Sequence, residues 1–213
     1  MRKWVNILST VAMAASTAAA AQPAAEKFNN AVDRNDVRSV QDYLKNGVEP
    51  NAVDERGDHA LFVAARTGAL PMVRTLIDGK AKIDLRTRHG DTAIMAAALG
   101  GFLPVVKYLR ESGATINSKG WTPLLYAAHN GHTAVVKYLL EQGADPTTAA
   151  PNGVTALMIA AREGHTDAVK ALIDYGVDLN QKNELGEDAV YWADRAERTD
   201  MVKLLKEAIA KSK

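Results

Sequence analysis

The sequence contains no cysteine. The chain therefore forms no disulfide, has no thiol nucleophile or cysteine-linked lipid, and cannot hold zinc or an iron–sulfur cluster through cysteine. The formal net charge is only +1, which excludes a nucleic-acid binder that depends on a large excess of positive charge. Beyond the N-terminal segment, no stretch approaches the roughly 20 apolar residues of a membrane-spanning helix. What remains, with 47% hydrophobic residues, is the composition of a globular protein.

The N-terminal segment 1–21 has the pattern of a secretory signal peptide. Arg2 and Lys3 precede a short, mostly apolar stretch, and an alanine-rich run ends at Ala21. The alternative is a disordered or helical N-terminal tail. We predict a signal peptide over 1–21, cleavage before Gln22, and a periplasmic or secreted protein without membrane insertion after cleavage. The lack of thiols suits an oxidising compartment.

The rest of the chain repeats a pattern with a period of about 33 residues. Glycines open successive copies at Gly57, Gly90, Gly120, Gly153 and Gly186, with one shorter interval between Gly90 and Gly120. Each is followed by two short apolar segments with helical spacing, and a further pair precedes the first of these glycines. One such pair cannot bury its apolar side alone, so the pattern predicts a stack of units with a shared core.

One unit carries a recognisable motif, Trp121-Thr122-Pro123-Leu124, and continues with Gly131-His132-Thr133-Ala134 through Gly143-Ala144-Asp145. This resembles the ankyrin repeat, which has the same period and the signature Thr-Pro-Leu-His-x-Ala. The resemblance covers about residues 24–210. It implies an all-α fold, an ankyrin-repeat solenoid of about six helix–turn–helix units joined by β-turn fingers. The domain is expected over 22–213, with units at about 24–53, 54–86, 87–117, 118–149, 150–182 and 183–210.

The chain departs from this pattern at three places. The turn before Gly120 is three residues shorter than the turn before Gly90, which explains the shorter interval between these two glycines. Lys80 stands where a glycine is expected after the second helix, so a local adjustment is expected there. The histidine of the signature, whose hydrogen bonds to the turn should be absent, is replaced by Phe62, Met95, Leu125, Met158 and Tyr191.

Polar residues at the helix starts predict N-caps. For the first helices these are Thr92, Thr122, Thr155 and Asp188, and for the second helices Thr133, Thr166 and Thr199. The second helices also repeat a valine and a leucine three residues apart, which predicts a continuous buried row. Its members are Val73, Leu76, Val106, Leu109, Val136, Leu139, Val169, Leu172, Val202 and Leu205.

No catalytic motif accompanies the repeats. The sequence has no nucleophile elbow, phosphate-binding loop, HExxH pair or dinucleotide fingerprint. The repeats leave no segment large enough for a separate catalytic domain, so we predict a non-enzymatic protein without a cofactor. One alternative is a metal- or ligand-binding periplasmic protein that uses His129, His132 and His165. Another is a secreted, host-directed effector, since repeats of this family are common in such proteins.

The resemblance implies that a protein partner binds the concave side, formed by finger tips and the exposed face of each first helix. Arg66, Arg162 and Arg195 recur at one register with His129 between them. These four residues, called the arginine row below, predict a positive surface for an acidic partner, or else are ordinary solvated side chains. The full candidate set is Arg56, Arg66, Arg86, Arg88, Lys119, Trp121, His129, Asn130, Arg162, Glu163 and Arg195.

Two tryptophans receive different predictions. Trp121 lies on the shortened finger, where it either anchors a partner or folds back over the neighbouring finger. Trp192, in the last unit, is expected to pack internally. The protein is expected to be a monomer that binds no nucleic acid.

Overall fold

The computed structural model of the protein describes residues 24–212, and the predicted signal peptide over 1–21 lies outside them. The described chain forms helices joined by turns, with one isolated bridge between Val53 and His59 in place of a sheet. The helices are α1 (24–33), α2 (Val37–Lys45), α3 (Ala60–Arg66), α4 (Leu70–Asp78), α5 (Ala93–Leu99), α6 (Leu103–Glu111), α7 (Pro123–His129), α8 (Thr133–Glu141), α9 (Ala156–Glu163), α10 (Thr166–Tyr175), α11 (Ala189–Arg195) and α12 (Thr199–Lys211).

The helices stack in two layers. The first helices α3, α5, α7, α9 and α11 pack against one another, and the second helices from α2 to α10 form the other layer. The predicted all-α repeat solenoid is therefore confirmed. Contacts between adjacent first helices are more extensive than those between most second helices, because the facing side chains are buried alanines. The side formed by the first helices and the finger tips is the one that the resemblance predicts to be concave, and it is called the concave face below. No helix in the described range 24–212 is long and apolar enough to cross a membrane.

The buried row runs through the whole stack. Its leucines are fully buried in α4, α6, α8, α10 and α12, and the valines of α4 to α10 are fully buried too. Val202 is the exception and is only partly buried, contrary to the sequence-based expectation. Since α12 is the last helix that the structure describes, no further unit packs over it there, and Met201 supplies the buried contact instead.

The first helices are capped largely as predicted. Asp188 accepts a hydrogen bond from the backbone N–H of Tyr191 at 2.8 Å, and Thr122 and Thr155 accept equivalent bonds at 3.3 and 3.4 Å. Thr92 occupies the same position, but its Oγ1 is buried and has no hydrogen-bond partner among the described atoms. Three of the four first-helix caps are thus made by the side chain.

The prediction for the second helices is wrong. Thr133, Thr166 and Thr199 are the first residues within their helices, and the cap positions belong to the residues before them. Those residues reach across to the preceding unit. His132 and His165 place Nε2 2.9 Å from the carbonyl oxygens of Leu99 and His129.

The same register continues at both ends of this series. Arg198 donates from Nε to the carbonyl oxygen of Arg162 at 3.4 Å, and Phe102 packs over Gly68 and Gly100. One residue per unit therefore joins the start of a second helix to the end of the preceding first helix.

The missing signature histidine is replaced in part by sulfur. The backbone N–H of Thr92 lies 3.4 Å from the sulfur of Met95, and that of Thr155 lies 3.5 Å from the sulfur of Met158. The expected loss of this hydrogen bond is therefore wrong for two units, where a weak acceptor takes over.

Lys80 takes the conformation that a glycine was expected to provide. Its φ is +70°, while Gly79 before it has φ −75°, and the N–H of Lys80 bonds to the carbonyl of Ile77. The helix end therefore keeps the geometry of the other units. The strain of a left-handed lysine replaces the expected local adjustment.

The fingers are five-residue turns closed by a backbone hydrogen bond. The N–H of Asp54 bonds to the carbonyl of Asp58 at 2.9 Å, and three further fingers repeat this bond at 87–91, 150–154 and 183–187. In the shortened finger, Asn117 instead donates to the carbonyl of Gly143 and accepts from the N–H of Asp145.

Candidate partner-binding face

The stack brings the predicted partner residues onto one side of the molecule. Arg66, His129 and Arg195 are the last residues of α3, α7 and α11, and Arg162 lies one residue before the end of α9. Leu99, which is 36% exposed, occupies the equivalent position at the end of α5. Because the first helices stack directly, residues at one register follow one another along the concave face.

Acidic neighbours neutralise the N-terminal part of this face. Arg66 Nη1 lies 3.2 Å from Asp58 Oδ2, and Arg56 Nη2 lies 3.1 Å from Asp33 and 2.6 Å from Asp54. Burial raises the pKa of Asp54, but bonds from the Asp58 N–H and from Arg56 outweigh it, so the pKa is lowered and this carboxylate is charged at neutral pH. The repeat register alone did not reveal these partners.

Three finger cations are exposed. Arg86 Nη1 donates to the carbonyl of Gly90 at 2.5 Å, and Arg88 Nε lies 3.0 Å from His89 Nε2. The third finger cation is Lys119. Within residues 24–212, none of the three has a carboxylate within salt-bridge distance. Their charges are available to a partner, although water and salt screen them.

Trp121 packs against side chains of its own unit, and its role as an anchor for a partner stays a prediction. Its ring packs on Tyr126, with centroids 4.9 Å apart, and meets the ring of His129 edge-on at 6.2 Å. The indole remains half-buried and lines a cavity on the concave face. It therefore folds back onto its own unit and still presents an edge to the cavity.

Arg162 and Glu163 form the polar centre of the C-terminal half. Arg162 Nη2 lies 2.7 Å from Glu163 Oε1, and His129 Nδ1 lies 3.8 Å from the same oxygen. The Arg162 guanidinium also lies over the ring of Trp192, 5.0 Å from its centroid. These contacts hold the Arg162 side chain beside the indole, and 42% of that side chain remains exposed.

The sequence predicted that Trp192 packs inside the last unit, but the structure places it there only in part. It is half-buried, donates from Nε1 to Glu187 Oε2 at 3.1 Å, and lines two cavities on the concave face. The signal in the sequence that could have indicated this position is the repeat register. Residues 63, 96, 126, 159 and 192 are equivalent, so Tyr126 and Trp192 are large aromatic side chains at one position of different units.

Asn130 and the remaining histidines hold the units together. Asn130 Nδ2 donates to the carbonyl of Leu99 at 2.7 Å, beside the contact from His132. Since Nε2 of His132 and of His165 each faces a carbonyl oxygen, these atoms are not free for a metal. Over residues 24–212, no group of three or more His, Asp or Glu side chains is arranged as a metal site.

Tyr126 is linked to the neighbouring finger. Its hydroxyl donates to Asp91 Oδ1 at 2.6 Å. Burial raises the pKa of Tyr126 well above its usual range, and the hydrogen bond to the Asp91 carboxylate adds to the shift. Because the pKa of Tyr126 is higher in the folded state than in the unfolded state, the protonated hydroxyl stabilises the fold. This stabilisation is fully present below the unfolded-state pKa of about 10 and is lost as the pH rises through the folded-state pKa.

We expect Tyr126 to stay protonated while ordinary tyrosines ionise. In a spectrophotometric titration at about 295 nm, the wild-type protein and Tyr126→Phe should show equal phenolate absorbance between about pH 9 and 11. Tyr175→Phe, which removes a phenol that is 48% exposed, is the matched control. An equal loss in both variants would show that Tyr126 is an ordinary solvated phenol.

This architecture defines a class: a helical-repeat solenoid that presents an extended surface built from equivalent positions of successive units. The family model for ankyrin repeats (3 copies) matches residues 28–119, 86–150 and 145–212. The chain belongs to the ankyrin-repeat family, whose members generally mediate protein–protein interaction and are typically not enzymes. No curated protein gives a significant match to the chain.

Proposed function

We propose that the protein is a non-enzymatic interaction module that binds a protein partner through its concave face. The observation that carries the proposal is the clustering of indole, phenol and guanidinium groups along one face of α7, α9 and α11. Tryptophan, tyrosine and arginine are the residues most enriched among those that dominate interface energies. A stacked array also has little conformational freedom to lose when it binds.

Charge supports a partner with an acidic surface. Arg86, Arg88, Lys119 and Arg195 are exposed and have no carboxylate partner in the part of the chain that the structure describes. Exposed charges of one sign speed the encounter with a partner of opposite sign, and salt weakens the attraction. The contribution comes from the finger cations and the last unit, because Arg56 and Arg66 are already paired.

The N-terminal segment supports a location in the bacterial periplasm. The charged start, the apolar stretch and the alanine-rich end occur in the order of a secretory signal. The test is expression of the full chain in a bacterium with two membranes, followed by fractionation and N-terminal sequencing. A periplasmic protein beginning at Gln22 supports the proposal. Accumulation in the medium supports the host-directed alternative, and an uncleaved cytoplasmic protein contradicts both.

The binding face is tested by the double variant Trp121→Ala with Arg162→Ala. Loss of one indole and one guanidinium from the centre of the face should weaken partner binding by at least about tenfold. The measurement is affinity capture from periplasmic extract at several salt concentrations, quantified by mass spectrometry. Circular dichroism should confirm that the variant remains folded.

A matched control removes the same chemistry from the convex side. Arg74 of α4 lies over the ring of Tyr108 at 4.3 Å, and Tyr175 of α10 is 48% exposed. Arg74→Ala with Tyr175→Ala should leave capture unchanged. If the two double variants capture the same proteins equally well, the concave face is not the binding surface.

A further inference from the structure

Two neighbouring cavities lie on the concave face. The smaller, of about 220 Å³, lies between Trp121 and Trp192, and the larger, of about 350 Å³, lies between Trp192 and Arg195. Arg162 and Trp192 line both cavities, so the two lie side by side across the last three units. We name the two cavities together the tryptophan groove and define it by Trp121, Arg162, Glu187, Tyr191, Trp192 and Arg195.

The shape of the groove suits a length of extended chain. A compact small molecule would fill one cavity and leave the other open, whereas successive side chains of an extended segment reach both. The lining is largely apolar and aromatic at both ends, with indoles at Trp121 and Trp192 and a phenol at Tyr191. Aromatic rings that face a groove favour another ring packed offset or edge-on between them.

The carboxylates beside the groove already have donors. Glu163 Oε1 accepts from Arg162 at 2.7 and 2.8 Å, and Glu187 Oε2 accepts from Trp192 at 3.1 Å and from Asn183 at 2.8 Å. Glu163 is therefore paired with a cation. Glu187 has only uncharged donors, so it keeps its negative charge beside the larger cavity.

Arg195 is a cation beside the groove that has no carboxylate partner in the described chain. Among the described residues its only side-chain hydrogen bond is a long one, 3.4 Å from Nη1 to the hydroxyl of Tyr191, and it has no carboxylate within 4.0 Å. An exposed guanidinium with free N–H donors binds a carboxylate through two parallel hydrogen bonds. A carboxylate of a ligand is therefore the group that would satisfy Arg195.

We infer that the tryptophan groove binds an extended segment of the partner in which an acidic side chain lies beside an aromatic one. The aromatic ring packs between Trp121 and Trp192, and the carboxylate pairs with Arg195. This inference rests on the proposed function, since it assigns the chemistry of the partner to one part of the concave face.

The test uses random twelve-residue peptides displayed on phage and selected against the full chain. We expect the enriched peptides to place Asp or Glu within two positions of Phe, Tyr or Trp. Arg195→Gln should weaken their binding at least tenfold in fluorescence anisotropy. The matched control is Arg66→Gln at the same register, which should change binding less than twofold because Arg66 is paired with Asp58.

A charge exchange adds a readout that loss of fold cannot imitate. Arg195→Glu should prefer a peptide in which the acidic residue is replaced by lysine, so the preference between the two peptides should reverse. Trp192→Phe, which keeps a ring in place, should weaken binding of both peptides without changing their order.

The outcomes separate this inference from the proposed function. Peptides that lose affinity with Arg86→Gln or Arg88→Gln, and not with Arg195→Gln, overturn the groove assignment while supporting the concave face. Failure to enrich any acidic–aromatic peptide also overturns it. Peptides that respond only to the convex double variant contradict both the inference and the proposed function.

Discussion

Replacing Leu139 with alanine is expected to lower the free energy of unfolding by about 3 kcal/mol and to divide unfolding into two transitions. Leu139 is fully buried in α8, in the middle of the stack. A unit of a solenoid contacts only its neighbours, so a weakened central unit uncouples the units on its two sides. Urea unfolding followed by circular dichroism measures the effect, and amide exchange resolved by unit locates it.

Leu205→Ala is the matched control for position in the stack. Leu205 is equally buried and has the same register in α12, the last helix that the structure describes. We expect a similar local loss that is confined to the last unit, with exchange protection retained in α4 to α8. Identical exchange patterns in the two variants would show that the stack unfolds as a single unit whatever the site of damage.

Replacing Gly131 with alanine is expected to lower the free energy of unfolding by about 3 kcal/mol, because two costs add. Gly131 has φ +68°, where an L-residue costs roughly 1–2 kcal/mol, and an added Cβ would lie 2.5 Å from ring atoms of His165. The ring has little freedom to move aside, because its Nε2 is held 2.9 Å from the carbonyl oxygen of His129.

Gly143 separates these two costs. Its φ is +82°, but an added Cβ there meets nothing within 4 Å. Gly143→Ala should therefore cost only the conformational part, roughly 1–2 kcal/mol. In the double variant with His165→Ala, Gly131→Ala should cost no more than Gly143→Ala does, which a double-mutant cycle of denaturant midpoints measures. Equal losses for the two single glycine variants would mean that the histidine ring moves freely.

The structural features behind these predictions differ in how far they follow from the sequence. The repeat period places Leu139 and Leu205 at one register and assigns both to the core. It also fixes the helix pairs and the left-handed position at Gly143, since these depend on residues close together in the chain. The clash at Gly131 depends on the His165 ring, which belongs to the next unit, and no local pattern shows it.

The candidate face was predicted in outline only. The register identified the row that contains Arg66, Arg162 and Arg195. It did not show that Asp58 neutralises the first of these while Arg195 has no carboxylate partner among the described residues. Trp192 was assigned to the interior because it belongs to the last unit, and comparison with Tyr126 at the equivalent position was the available correction.

The sequence by itself determined the repeat architecture, the identity of the buried row and the side on which the first helices lie. Those features follow from periodicity, and periodicity is a property of the chain read in order. Only the tertiary structure decided which cations have partners, which residue joins each unit to the preceding one, and where two cavities lie side by side between Trp121 and Arg195. These depend on distances of a few ångströms between side chains of successive units, which stacking sets and local sequence does not.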